Sequence, residues 1–288
     1  MADISTFDLL IIPYAEEDPD QFMRLHLPRE LPTSNIPVVV IIHGGFWKNV
    51  WTVSNAAHTT LAPSLVDSGA YAAVEVEYRR RDSPGGGYPG TMDDIELCLQ
   101  QLAVFVQKHT LPLDLERLIL LGHSAGGQLA LLYADSASKA SAESGVRPLP
   151  IPKLVIAIAP VVDLVAAYER KLSDEGDAAE RFMKCKPSDE DGKCLERYMD
   201  ASPRHRCIPL RLPTLLVTGK GDTDVPFDMV LAFSDAATAA AASNPEFTND
   251  ISILLCNDKT DHYGPVNAES TEWAKIRAAM DAAVASWA

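Results

Sequence analysis

Ser124, Asp222 and His262 are the residues whose types and spacing could carry chemistry. Ser124 lies in Gly122-His123-Ser124-Ala125-Gly126, after the apolar run Leu118 to Leu121 and before a helical stretch beginning Gly-Gln-Leu-Ala. This is G-x-S-x-G in a strand-turn-helix context. A serine in so sharp and strained a turn needs small residues two before and two after it, where chains pass closely. The turn exposes the hydroxyl and aims the backbone N–H of Ala125, with the helix N-terminus, at the place where an oxyanion would form.

A serine hydroxyl is a weak nucleophile until a base takes its proton. At sites of this kind the chain order is serine, acid, histidine, and only His205 and His262 follow Ser124. His205 stands between Arg204 and Arg206 and reads as solvated or carboxylate-paired. His262, in Asp261-His262-Tyr263-Gly264 just beyond the run ISILLC, is the candidate base. Asp222 follows the run TLLVT directly and is the candidate acid, with Asp224 and Asp163 as competitors.

A second oxyanion donor is expected from His43-Gly44-Gly45-Phe46-Trp47, directly after the run PVVVII. Gly44, Gly45, Phe46 and Ala125 are therefore the expected oxyanion hole, with Gly45 or Phe46 supplying the N–H. The chemistry is acyl transfer: His262 takes the Ser124 proton, Oγ attacks a carbonyl, Asp222 holds the imidazole tautomer, and water releases the acyl group. Trp47, Trp51 and Tyr263, together with Phe46, are candidates for the walls of a substrate pocket. No metal or other cofactor is expected, because His43 and His123 lack ligand partners at suitable spacing and HExxH is absent. Asp93-Asp94 reads as a helix cap and loop anchor. Gly85-Gly86-Gly87 lacks the Lys-Ser/Thr of a phosphate cradle.

The elements that must position these residues alternate strand and helix. Strands are expected at Asp8 to Pro13, Gln21 to Pro28, Pro37 to His43, Ala70 to Tyr78, Leu118 to Leu121, Leu154 to Ala159, Thr214 to Thr218 and Ile251 to Cys256. Helices are expected at Met92 to His109, Gly126 to Ala137 and Ser270 to Trp287, with a turn at Asp114-Leu115-Glu116. Such alternation predicts a mostly parallel, doubly wound sheet covered by helices on both faces. Val165 to Arg206 breaks the pattern: it is long, of mixed charge, and carries the run SDEDGK. It is expected to be a helical cap inserted into a single domain spanning residues 1–288.

With 288 residues, 47% hydrophobic and 23% charged, the chain can bury a full core. A formal net charge of -15 disfavours nucleic acid and anionic membrane surfaces as partners. The expected partner is a small ester or amide, with a homodimer left open. Five cysteines at unpaired spacings suggest free thiols. Together with a start at Met1-Ala2-Asp3 that has no basic n-region, and no apolar run near the ~20 residues of a membrane span, they suggest a cytoplasmic protein.

HGGFW, EYRR followed by Tyr88-Pro89 and Asp93-Asp94, GHSAGG, GKGDTDVP and Asp261-His262-Tyr263 together resemble the esterase branch of the α/β hydrolases related to hormone-sensitive lipase. The resemblance runs from about Pro37 to the end and implies an α/β-hydrolase fold. HGG followed by an aromatic pair ending in Trp47 is similar to the HGGxW motif of kynurenine formamidases, where it forms the oxyanion hole. The residues matching that family's triad are Ser124, Asp222 and His262. The resemblance implies hydrolysis of N-formyl-kynurenine to kynurenine and formate without a cofactor. Related carboxylesterases and feruloyl-type esterases carry similar loops, so a carboxylesterase is the alternative, and the charged cap matches nothing in the family. From other classes stand a non-catalytic ligand receptor on the same fold, against which the complete triad argues, and a peptidase, for which the chain is short.

Overall fold

Two short strands, Leu9–Pro13 (β1) and Phe22–His26 (β2), run antiparallel at one edge of the sheet. Their residues alternate in exposure, as strands with one wet face must. The central strands differ: Ile36–Ile42 (β3) and Ala72–Val76 (β4) are buried at every residue, as parallel strands covered on both faces require. Leu113–His123 (β5), Leu154–Ile158 (β6), Thr214–Thr218 (β7) and Ile251–Leu255 (β8) complete one eight-stranded sheet in the order β1-β2-β4-β3-β5-β6-β7-β8. From β4 to β8 all pairings are parallel. The computed structural model describes residues 8–30, 34–140, 149–189, 192–208, 210–243 and 251–287. The opening Met1-Ala2-Asp3 and residues 190 and 191 of the SDEDGK run lie outside them.

Strand β3 feeds two cores. Val38, Val40 and Ile42 face a large cluster that includes residues of Gly90–His109 (α2), Ala125–Ala140 (α3) and Phe227–Ala242 (α8). Val39 and Ile41 face a smaller cluster with Leu61–Val66 (α1) and Thr271–Ser286 (α9). This period of two along one strand is what a three-layer α/β/α sandwich demands. Helices α1 and α8 carry little periodic signal. The first spans six residues, and the second is so rich in alanine that its buried side, Met229, Val230 and Phe233, hardly stands out.

The segment between β6 and β7 forms four short helices: Leu164–Glu169 (α4), Ala178–Met183 (α5), Lys193–Asp200 (α6) and Pro203–Arg206 (α7). Phe182, Met183, Tyr198 and Ala201 are buried and join the larger core cluster, so the charged sequence hides an apolar underside.

Two expectations need correction. The turn at Asp114-Leu115-Glu116 is part of β5, which starts at Leu113. The extra residues are taken up by an irregularity opposite Pro37 and Val38, where the partner register jumps from Asp114 to Leu118. The five cysteines are not all free: Cys185, just after α5, and Cys194, at the start of α6, form a disulfide. Disulfides are characteristic of oxidising compartments, so free thiols no longer support a cytoplasmic location. Among the described residues no helix is long and apolar enough to cross a membrane.

Candidate active site

Ser124 is the single residue between the end of β5 and the start of α3. Its φ is +57°, a left-handed conformation that costs a non-glycine residue about 1–3 kcal/mol. The turn closes because two glycines let backbones touch. A Cβ on Gly122 would lie 2.2 Å from Gly126 O, and one on Gly126 would lie 2.1 Å from Ile42 O. Ser124 N donates to Ile158 O at 2.8 Å, tying the turn to β6. Ala125 opens α3, where an amide lacks an intrahelical partner and remains available to an oxyanion.

The loop after β3 packs against this turn: a Cβ on Gly44 would meet His123 O at 2.8 Å and Ser124 Cβ at 2.9 Å. Gly45, Phe46 and Trp47 then follow with φ of +109°, +50° and +55°. Strain on this scale persists only where the surroundings over-determine it, and buried polar groups beneath the loop do so. His43 is fully buried and stacks on Tyr78 at 4.3 Å. Its Nδ1 lies 2.8 Å from Gly44 O and its Nε2 lies 3.1 Å from Glu77 Oε1. Tyr78 Oη donates to His43 O at 2.8 Å. Glu77 also accepts from Val53 N at 3.0 Å and from Arg80, which pairs with Asp20. Burial pushes the Glu77 carboxyl up, but His43, Arg80 and the Val53 N–H outweigh it and hold the group below its ordinary value.

The candidate acid and base come from the loops after β7 and β8. His262 Nδ1 donates to Asp222 Oδ2 at 2.7 Å, and both residues are buried. The other carboxylate oxygen accepts from the N–H groups of Asp224 and Val225, each at 2.9 Å, which fixes its orientation. His123 Nε2 donates to His262 O at 3.0 Å, with the rings 4.5 Å apart. Burial, and then the neighbouring His262, hold the His123 imidazole well below its usual range, so it packs as a neutral ring. The competitors are engaged elsewhere. Asp224 lies beside the Tyr263 hydroxyl, which burial and this neighbour push up to about 12. Asp163 caps α4 through Ala166 N at 3.0 Å and lies 3.7 Å from Arg204. His205 is exposed.

Ser124 and His262 open onto one cleft of about 320 Å³, which Gly44, Gly45 and Phe46 also line. Trp51 and Tyr263 line it too and are 41% and 53% exposed. Trp47 corrects the expectation for the pocket. It is 1% exposed, stacks on Phe182 at 4.2 Å, and donates through Nε1 to Gln128 at 3.2 Å. The stack on Phe182 and the bond to Gln128 hold the indole in the core rather than the cleft. Lys48 and Asp174 line the cleft without having been singled out in the sequence. They are an ion pair at 3.6 Å between the loop after β3 and the α4–α5 connection, and Lys48 also pairs with Glu175.

Glu77 was equally hidden, although a signal existed: Glu75 and Glu77 are charged residues in and just after a strand otherwise apolar, where carboxylates are rarely buried unless paired. Asp94, buried, accepts from Arg79 and Gln21 and anchors the 79–81 loop. Among the described residues one grouping of donors is close enough for a metal ion: Cys185, Asp189 and Cys194. Its sulfurs are bonded to each other and so are not thiolate ligands.

No curated protein matches the chain. Among solved structures it is similar to a truncated carbohydrate esterase from gut microbiota, with 14% identity over 98% of each chain and a TM-score of 0.74. It is similar to esterase B of Lactobacillus rhamnosis, with 21% identity over 97% of this chain and 89% of that one and a TM-score of 0.72. A Pyrobaculum calidifontis esterase shares 21% identity over 95% and 84% of the two chains, with a TM-score of 0.67. These likenesses establish the α/β-hydrolase fold. The BD-FAE family model matches residues 23–236, most of the chain and the whole span from β2 through Ser124 and Asp222 into α8. The chain therefore belongs to the BD-FAE family, an esterase family of the α/β-hydrolase fold, and is a serine hydrolase.

Proposed function

We propose that the protein is a carboxylesterase that cleaves small esters through an acyl-enzyme on Ser124. The observation that carries this reading is the 2.7 Å contact between His262 and Asp222 on the cleft that also holds Ser124. His262 Nε2 takes the hydroxyl proton as Oγ bonds to the ester carbonyl carbon, and the carbonyl oxygen becomes an oxyanion. Amides of Ala125 and of Gly45 or Phe46 receive it, each such donor being worth about 2.7–4 kcal/mol. His262 returns the proton to the leaving alcohol as the C–O bond breaks, and water, activated in the same way, releases the acid. Asp222, oriented by two amides, keeps the proton on Nδ1 and stabilises the imidazolium.

Within this chemistry an aryl-formamide such as N-formyl-kynurenine is the narrower reading. The HGGFW loop and the aromatic lining supplied by Phe46, Trp51 and Tyr263 favour it. Against it, the tryptophan that completes the motif, Trp47, is withdrawn from the cleft. The named activities of the structural relatives, all esterases, favour an ester.

The test is turnover of purified protein on short and medium p-nitrophenyl esters beside N-formyl-kynurenine, with Ser124→Ala as control. Ester turnover well above formamide turnover, abolished in S124A, is expected. Formamide turnover far above the best ester would replace carboxylesterase by formamidase. A folded protein that neither turns over substrate nor takes a fluorophosphonate label on Ser124 would be a non-catalytic receptor instead.

A further inference from the structure

Phe46 and Trp47 hold left-handed backbones in the loop expected to donate to the oxyanion, yet only Trp47 is fully enclosed. Three contacts hold it. Its indole stacks on Phe182 of α5, its carbonyl accepts from Arg81 N at 2.9 Å, and its Nε1–H donates to Gln128 Oε1 at 3.2 Å. Gln128 is fully buried in the first turn of α3, and its own N–H donates to Ser124 O at 3.2 Å. Its side-chain amide donates to Ala201 O, at the end of α6, at 2.8 Å.

An indole N–H only donates and a peptide carbonyl only accepts. A carboxamide satisfies both in one orientation: Oε1 toward Trp47 and Nε2 toward Ala201. Glutamate would lack the donor and bury a charge, and methionine would fill the volume with neither bond. A side chain that meets both demands at zero exposure, one turn from the nucleophile, joins three pieces of the site: the loop after β3, the nucleophile turn and the segment above α3.

We propose that Gln128 is a positioning residue for the reaction and that it sets the oxyanion loop against Ser124 by acting through Trp47. This rests on the esterase reading of Ser124. Gln128 touches no substrate and none of the reacting atoms. With its bond to Trp47 lost, the left-handed stretch relaxes and the loop's amide leaves the oxyanion position, while the cleft wall at Tyr263, on the loop after β8, remains. The loss then falls on kcat and not on KM.

The experiment measures p-nitrophenyl acetate turnover in wild type, S124A, Gln128→Met, Trp47→Phe and the double variant. Trp47→Phe keeps an aromatic ring against Phe182 while losing the N–H together with one ring of the indole, so it tests the same contact even where Gln128→Met fails to fold. Each single variant is expected to lower kcat about 10- to 100-fold with KM within about threefold of wild type. The double variant should be no slower than the worse single, because both remove the same bond. A wild-type kcat in folded Gln128→Met or in Trp47→Phe, losses that multiply in the double variant, or a change confined to KM would overturn the proposal. Wild-type protein without Ser124-dependent turnover would instead overturn the esterase reading, and the proposal with it.

Discussion

The two halves of the site are held by different means. The nucleophile turn and the loop after β3 sit on the central strands, with three non-glycine residues in left-handed conformations and buried charged groups beneath them. The candidate acid and base sit on loops after β7 and β8, toward the far edge of the sheet, and β8 itself is only half-buried. There the order comes from one short contact, His262 to Asp222, and from two amides on the carboxylate. On the proposed esterase reading, the half that would present fixed dipoles to a developing charge is built into the core, because preorganised donors stabilise a transition state only if they do not reorganise. The half that moves a proton needs the right tautomer and little more.

The sharpest way to break this comparison is Asp222→Asn. It should lower kcat by about 10⁴-fold, the usual cost of the wrong imidazole tautomer, with little change in urea midpoint. A loss below tenfold would move the orienting role elsewhere, Asp224 being the nearest candidate.

Glu77→Gln breaks the other half. It leaves Arg80 and His43 without their shared carboxylate and should destabilise the fold by about 3 kcal/mol. Turnover should fall with it, since His43 and Val53 lose their anchor. Unfolding in urea beside steady-state kinetics reads both. A variant of wild-type stability would show that the buried polar groups do not hold the loop.

Acid sharpens the contrast through Glu75, which lies 2.7 Å from His26 and 3.4 Å from His58. Burial raises its carboxyl, but the bond to His26 and the nearby His58 outweigh this and bring it from 4.5 to about 2. A carboxyl depressed in the folded state contributes its full stability above the unfolded value and loses it as pH falls toward the folded one. The contribution, about 3 kcal/mol from the size of the shift, should therefore be intact above pH 4.5 and fade toward pH 2. Unfolding free energies measured across that window should fall more steeply in wild type than in Glu75→Gln, and parallel curves would refute the assignment.

The smallest effect belongs to the rim. Trp51→Ala removes a half-exposed side chain of the cleft and should raise KM a few-fold, within the roughly 1 kcal/mol of a partly exposed contact, with kcat little changed. A fall in kcat alone would place Trp51 with the oxyanion loop, against which it packs at Gly45.

Much of this was legible in the chain before any contact was known. The buried strands announce themselves by unbroken apolar runs, because parallel strands are covered on both faces. Gly122 and Gly126 mark the nucleophile turn because nothing larger fits where Ile42 O and Gly126 O approach. His262 and Asp222 follow from chain order and from their places after apolar runs. What the chain could not reveal is which way a side chain turns once its backbone leaves the ordinary regions. Trp47 looks like a pocket wall beside Phe46, and only φ of +55° and the waiting faces of Phe182 and Gln128 send it into the core. Cys185 and Cys194 look unpaired until α5 and α6 fold back on each other, since a cross-link depends on distance in space. Chain order and its place directly after TLLVT put Asp222 ahead of Asp224 and Asp163, and the contacts show where each carboxylate goes: one reaches His262, one lies beside Tyr263, and one caps a helix. Local sequence determines residue types and periodicities, and through them the sheet and the reacting groups. Contacts between residues far apart in the chain decide direction, pairing and support, because their partners come from elements that only the folded sheet brings together.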